Sequence, residues 1–151
     1  MLFLHIMRKS TVVEVPFEVV ELEENSYHII VTAQMGCIEG DFIIDTGASI
    51  TVMDCNIPFT YEQLEDVSEI NSGGVGGEIT EVRLVNLPVF RIGGHHLENM
   101  HVALIDLQHV NHLYEKHLRR QVSGLLGCDF LVRHEGIIDY KNKILTLKVS
   151  L

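Results

Sequence analysis

Asp45 is delivered to the end of an apolar run and followed at once by four small residues. The segment reads Phe42-Ile43-Ile44-Asp45-Thr46-Gly47-Ala48-Ser49-Ile50-Thr51-Val52-Met53. A lone carboxylate beside Ile and Val costs several kcal/mol to shelter from water unless neighbours satisfy it. Thr46, Gly47, Ala48 and Ser49 are small enough to let backbone N–H groups and hydroxyls gather around that acid. Asp45 is therefore the candidate catalytic residue, and Thr46 to Ser49 its supporting loop. The same acid at a strand end also reads as a plain turn former.

A second segment, Ser72-Gly73-Gly74-Val75-Gly76-Gly77, places four glycines in six residues between two strand-like stretches. It reads either as a loose hairpin tip or as a flap whose backbone approaches a ligand closely, with Gly73, Gly74, Val75, Gly76 and Gly77 as substrate-binding residues. It lacks the Lys-Ser/Thr of a P-loop, which speaks against phosphate. The nine histidines gather as His95, His96 and His101 and as His109, His112 and His117. Neither group has the helical His-x3-His spacing with an intervening acid or a nearby cysteine pair, so neither metal nor cofactor is expected. Cys128 stands near a helix start without a matched His and Asn, and Cys37 and Cys55 read as small buried hydrophobes. No serine lies in a Gly-x-Ser-x-Gly elbow.

The elements that must position these residues are mostly strands. Val12 to Val20, Tyr27 to Met35, Asp41 to Ile44, Ile50 to Met53, an interrupted run from Ile79 to Ile92, and His101 to Ile105 are short and rich in Val, Ile and Thr. Gly136 to Tyr140 and Ile144 to Val149 form a hairpin through Lys141-Asn142-Lys143. Val110, Leu113, Tyr114 and Leu118 make a one-sided stripe, which predicts a helix over His109 to Arg120 within the 107–121 region. Gly124 to Val132 is expected to be a short buried helix. Many strands with one or two helices imply a mostly β, closed barrel-like architecture.

One domain fits 151 residues with 46% hydrophobic content. Residues 12–151 form it, and residues 1–11 are a terminal strand or frayed end. The net charge of −10 argues against nucleic acid or an anionic membrane as partner. No stretch approaches the roughly 18 apolar residues of a membrane span. Three scattered cysteines fit a reducing compartment, and the expected location is cytoplasmic.

Residues 42–53 resemble the signature of the retropepsin-like aspartic peptidases: an apolar strand, Asp-Thr/Ser-Gly-Ala/Ser, then a second apolar strand. Leu125-Leu126-Gly127-Cys128-Asp129-Phe130-Leu131 is similar to that family's second signature, which opens a helix and makes Gly127 and Asp129 motif residues near the site. Gly73 to Gly77 falls between the two, where the family carries its flap, and the resemblance runs from about Val12 to Leu151. Two departures stand out. The stretch between flap and second signature is longer than in compact viral members and holds the 109–120 helix, and Cys128 replaces their basic residue, which removes an ion pair.

The resemblance implies peptide hydrolysis by two aspartates flanking one water, one activating it and the other protonating the carbonyl. Asp-Thr/Ser-Gly occurs once, so one chain offers half a site and a homodimer is implied. Two carboxylates about 3 Å apart at an effective dielectric of about 20 repel by roughly 5 kcal/mol, so the pair holds one proton between them. The resemblance gives Thr46 the locking of the paired loops, Gly47 their close approach and Ser49 a bond to the outer carboxylate. An extended peptide would add as a strand beneath the flap. The rival readings are a dimeric peptide-binding module of the same fold without peptidase activity, and an unrelated β domain with a chance Asp-Thr-Gly.

Overall fold

The computed structural model describes residues 9–64 and 82–151. The flap residues Gly73 to Gly77, including Val75, and the start of the Ile79 to Ile92 run lie outside the described residues.

The chain opens with strands β1 (Ser10–Pro16), β2 (Glu18–Glu23), β3 (Ser26–Met35) and β4 (Ile38–Ile44). The short strands β5 (Val52–Asp54) and β6 (Glu62–Gln63) follow. After the undescribed stretch come β7 (Arg83–Leu87), β8 (Phe90–Ile92), β9 (His95–Leu97) and β10 (Met100–Ile105). Helix α1 (Gln108–Leu118), strand β11 (Gly124–Leu126), helix α2 (Cys128–Arg133) and strands β12 (Ile137–Asp139) and β13 (Ile144–Ser150) complete the chain. Two sheets result. The smaller has the order β1-β13-β12; the larger runs β6-β7-β10-β5-β11-β4-β3-β8-β9, with β2 beside β3, and curls as a half-barrel.

Alternation along the strands explains the layers. On β3 and β4, Ile29, Val31, Ala33, Met35, Phe42 and Ile44 point into the main core, while Ile30 and Ile43 point to the opposite face. That opposite face is covered by α1, whose Tyr114, Val110 and Leu118 pack on Val20, Leu22, Ile30, Ile43 and Val122. Strands buried on both faces read as continuous apolar runs, which is the pattern of Phe42-Ile43-Ile44. The end of α1 is clipped down by Arg120, which donates to Glu18 of β2 at 2.7 Å and to Asp41 of β4 at 2.9 Å. Hydrogen bonds to Glu18 and then to Asp41 raise the guanidinium pKa further, against a smaller cost of burial.

Four expectations are corrected. The single strand from Val12 to Val20 is two, because the chain turns a corner at Pro16 and Phe17 and leaves the small sheet for the large one. Gly124 to Leu126 is not helical: it is a strand running parallel to β4 and antiparallel to β5. A Cβ on Gly124 would collide with the Val52 carbonyl, so the close strand packing requires glycine there. The helix starts only at Cys128. Cys37 and Cys55 are exposed, since both sit in turns that follow β3 and β5. On α1, Leu113 faces outward and is 39% exposed, leaving Val110, Tyr114 and Leu118 to make the contact.

The expected terminal hairpin forms as β12 and β13. Its turn is fixed by Asp139, which accepts from the Asn142 backbone N–H at 3.0 Å and from its side-chain amide at 2.8 Å. The same bonds hold the Asp139 carboxyl below the ordinary carboxylate range.

Candidate active site

Three adjacent strands position Asp45. β11 lies between β4 and β5, and its last residue, Leu126, accepts the Asp45 backbone N–H at 2.9 Å. Beyond that bond the chain turns, with the Ala48 N–H donating to the Asp45 carbonyl at 3.2 Å. The turn brings the Gly47 N–H to within 2.9 Å of Asp45 Oδ1. A Cβ on Gly47 would lie 3.2 Å from that oxygen, so glycine leaves the carboxylate its place. Asp45 is half-buried, and Thr46, Gly47 and Ser49 are exposed. Among the described residues Oδ2 accepts no hydrogen bond, and neither the Thr46 nor the Ser49 hydroxyl bonds to Asp45.

The second motif buttresses this loop from beneath. The Cys128 N–H donates to the Ala48 carbonyl at 2.8 Å, and the Cys128 thiol donates to the Thr46 carbonyl at 2.9 Å. Gly127 presses directly on residues 48–50: a Cβ there would stand 2.8 Å from Ala48 O and from Ile50 C and O. Its N–H donates to Thr51 Oγ1 at 3.1 Å, and that hydroxyl donates in turn to Asp129 Oδ1 at 2.8 Å. Asp129 Oδ1 also receives the Phe130 N–H at 2.8 Å, which fixes the first turn of α2. The structure thus gathers Asp45, Thr46, Gly47, Ala48, Gly127, Cys128 and Asp129 into one knot and leaves Ser49 at its rim.

Two participants were missed by sequence reasoning. Thr51 is 1% exposed and is the only polar side chain of the Ile50-Thr51-Val52-Met53 run, a signal that a buried hydroxyl there needs partners. Leu126 acts through its carbonyl, which no side-chain pattern reports.

Chemically, the knot presents one carboxylate with one oxygen held by a backbone donor and the other without a partner among the described residues, which suits it to orient and activate a water. Among the described residues no three His, Cys, Asp or Glu side chains gather as a metal site. His96 Nε2 instead meets the Pro88 carbonyl at 3.0 Å, and His117 lies 3.9 Å from Glu23. No described helix is long and apolar enough to cross a membrane.

A half-barrel of strands, an Asp-Thr-Gly loop on the middle strands and a glycine-led helix beneath it define the aspartic peptidase class. The family model described as "Aspartyl protease" matches residues 31–130, and the chain belongs to that family. Among solved structures it is similar to a retropepsin-like aspartic protease from Rickettsia conorii, at 16% identity and a TM-score of 0.53, over 94% of each chain. No curated protein matches the chain. The fold is retropepsin-like.

Proposed function

We propose that the chain is an aspartic endopeptidase that acts as a homodimer, with two Asp45 side chains flanking one water. One observation carries the reading: Asp45 is half a site, with Oδ1 fixed by the Gly47 N–H and Oδ2 without a partner among the described residues. A second copy related by a two-fold axis supplies the other carboxylate. Repulsion at short range then leaves one proton on the pair, so that one Asp45 acts as base and its twin as acid.

In this reading Thr46 locks the two loops together, its exposed hydroxyl being free for the other subunit, and Gly47 allows their approach. Ser49 bonds the outer carboxylate once substrate or partner is present. Gly73 to Gly77 form the flap over an extended peptide, and Gly127 and Asp129 hold the loop. Residues 12–151 act as one domain, residues 1–11 as a terminal segment. The described cysteines are free, which fits a reducing, cytoplasmic location.

The test is cleavage of a diverse peptide library between pH 3 and 7. Acid-favoured cleavage that is blocked by a pepstatin-like inhibitor and abolished by Asp45→Asn supports the peptidase. Peptide capture by a dimer with no cleavage at any pH supports the second reading, a binding module of the same fold, which the exposed loop and strand edges also suit.

A further inference from the structure

Outside the Asp45 knot, His134 is the one titratable side chain among the described residues with a buried polar atom left unpartnered. It is 7% exposed and caps the C-terminus of α2. Its main chain accepts the Lys148 N–H at 2.7 Å, and its Nδ1 lies 3.2 Å from the Lys148 carbonyl. A carbonyl only accepts, so Nδ1 carries the hydrogen and Nε2 bears the lone pair. Nε2 is buried and has no partner among the described residues. The residue after it, Glu135, is left-handed at φ 46°, and bonds from Glu135 N–H to Val132 O and from Gly136 N–H to Leu131 O close a tight reversal into β12. His134 is therefore the bracket between α2, which supports the Asp45 loop, and β13 of the small sheet.

We propose that His134 is an acid-sensing latch: neutral, it holds α2 against β13; protonated, it releases α2 and loosens the support of the Asp45 loop. Protonation would place an N–H donor and a positive charge at Nε2, where the structure offers no acceptor. The charges that neighbouring elements bring do not compensate. Arg133 of α2 is itself cationic, with its guanidinium spent on the Asn99 and Glu98 carbonyls at 2.7 and 3.1 Å. Lys148 of β13 pairs with Glu135 of the turn at 3.3 Å, so that carboxylate is engaged elsewhere. Among the described residues the Phe130 ring, 4.7 Å away, and the Lys148 carbonyl are the neighbours that favour a cation.

Burial pushes the imidazole below its ordinary value; the Lys148 carbonyl opposes this and Arg133 reinforces it. The unfolded chain then binds a proton that the folded chain refuses, so the stabilisation is complete above the ordinary histidine range. It declines as pH falls from there toward the folded value. The consequence for cleavage, an acid-favoured activity that falls away again at the acid end of its range as the loop loosens, rests on the peptidase reading. The latch itself does not, and is tested without substrate.

The experiment is hydrogen exchange in the Asp45→Asn protein, comparing pH 7.5 with pH 5.5 after correction for intrinsic rates. The amides of Leu131, His134, Gly136 and Lys148 are expected to lose protection, by up to about tenfold at pH 5.5, about one unit below the ordinary histidine value. Amides of β3 and β4 keep theirs, and His134→Phe removes the difference. Should that variant fail to fold, His134→Gln, neutral and still able to donate to the Lys148 carbonyl, takes its place. An equal loss in the substituted protein, a loss spread evenly over β3 and β4, or a ring that titrates at or above the ordinary histidine value overturns the latch.

Discussion

The Thr51 hydroxyl donates to Asp129 Oδ1 at 2.8 Å, joining positions 78 residues apart and tying the strand that leaves the Asp45 loop to the helix beneath it. Thr51 Oγ1 itself receives the Gly127 N–H at 3.1 Å, so one buried hydroxyl serves both partners.

Replacing Thr51 with Val keeps the shape and removes that group, leaving the Gly127 N–H without its acceptor. A loss of about 1–3 kcal/mol is expected, read as a lower midpoint in urea with an unchanged slope. Thr51→Ser retains the hydroxyl and is expected to recover more than half of the loss. A Val variant as stable as the parent removes the buttress from the explanation.

Gly127→Ala tests steric rather than polar support. The added methyl would meet three main-chain atoms of residues 48 and 50 at 2.8 Å, and backbone cannot swing aside as a side chain does. Overpacking of this kind costs about 1–3 kcal/mol. Chemical shifts of residues 45–50 are expected to move while those of α1 stay fixed, and cleavage is expected to fall with them.

Tyr114 tests the outer layer. It is fully buried on the face of α1 that packs on the sheet, with its hydroxyl 2.6 Å from His28 Nδ1. Burial pushes the phenol up to about 12, against the opposing pull of Arg120. A raised acid pKa means the folded chain keeps a proton that the unfolded chain releases. This stability is complete below pH 10 and is lost as pH rises toward 12, a change of up to about 3 kcal/mol. Alkaline unfolding followed by circular dichroism should show this loss in the parent and a flatter profile in Tyr114→Phe. An identical profile in both would place the alkaline loss elsewhere.

The Asp45 loop is legible in the sequence because all its parts are contiguous: a strand, an acid, small residues, a strand. Its supports are not, since Leu126 contributes only a carbonyl and Thr51 only a contact made 78 positions away. Gly124 to Leu126 misled for a related reason. Three apolar residues have no period, and what makes them a strand is the slot between Phe42 and Val52. The α1 stripe was long enough to be read correctly, while the direction of Leu113 depended on which part of the sheet the helix covers. The exposure of Cys37 and Cys55 follows from turn positions that burial preference does not report.

Subunit mixing tests the paired-carboxylate mechanism most directly. Wild-type chain is held at fixed concentration and titrated with Asp45→Asn chain, and peptide cleavage is followed at acid pH. If each site needs Asp45 from both subunits, mixed dimers are dead and excess variant drives cleavage toward zero. Cleavage per wild-type chain that stays constant at a large excess of Asp45→Asn would contradict a site built from two copies.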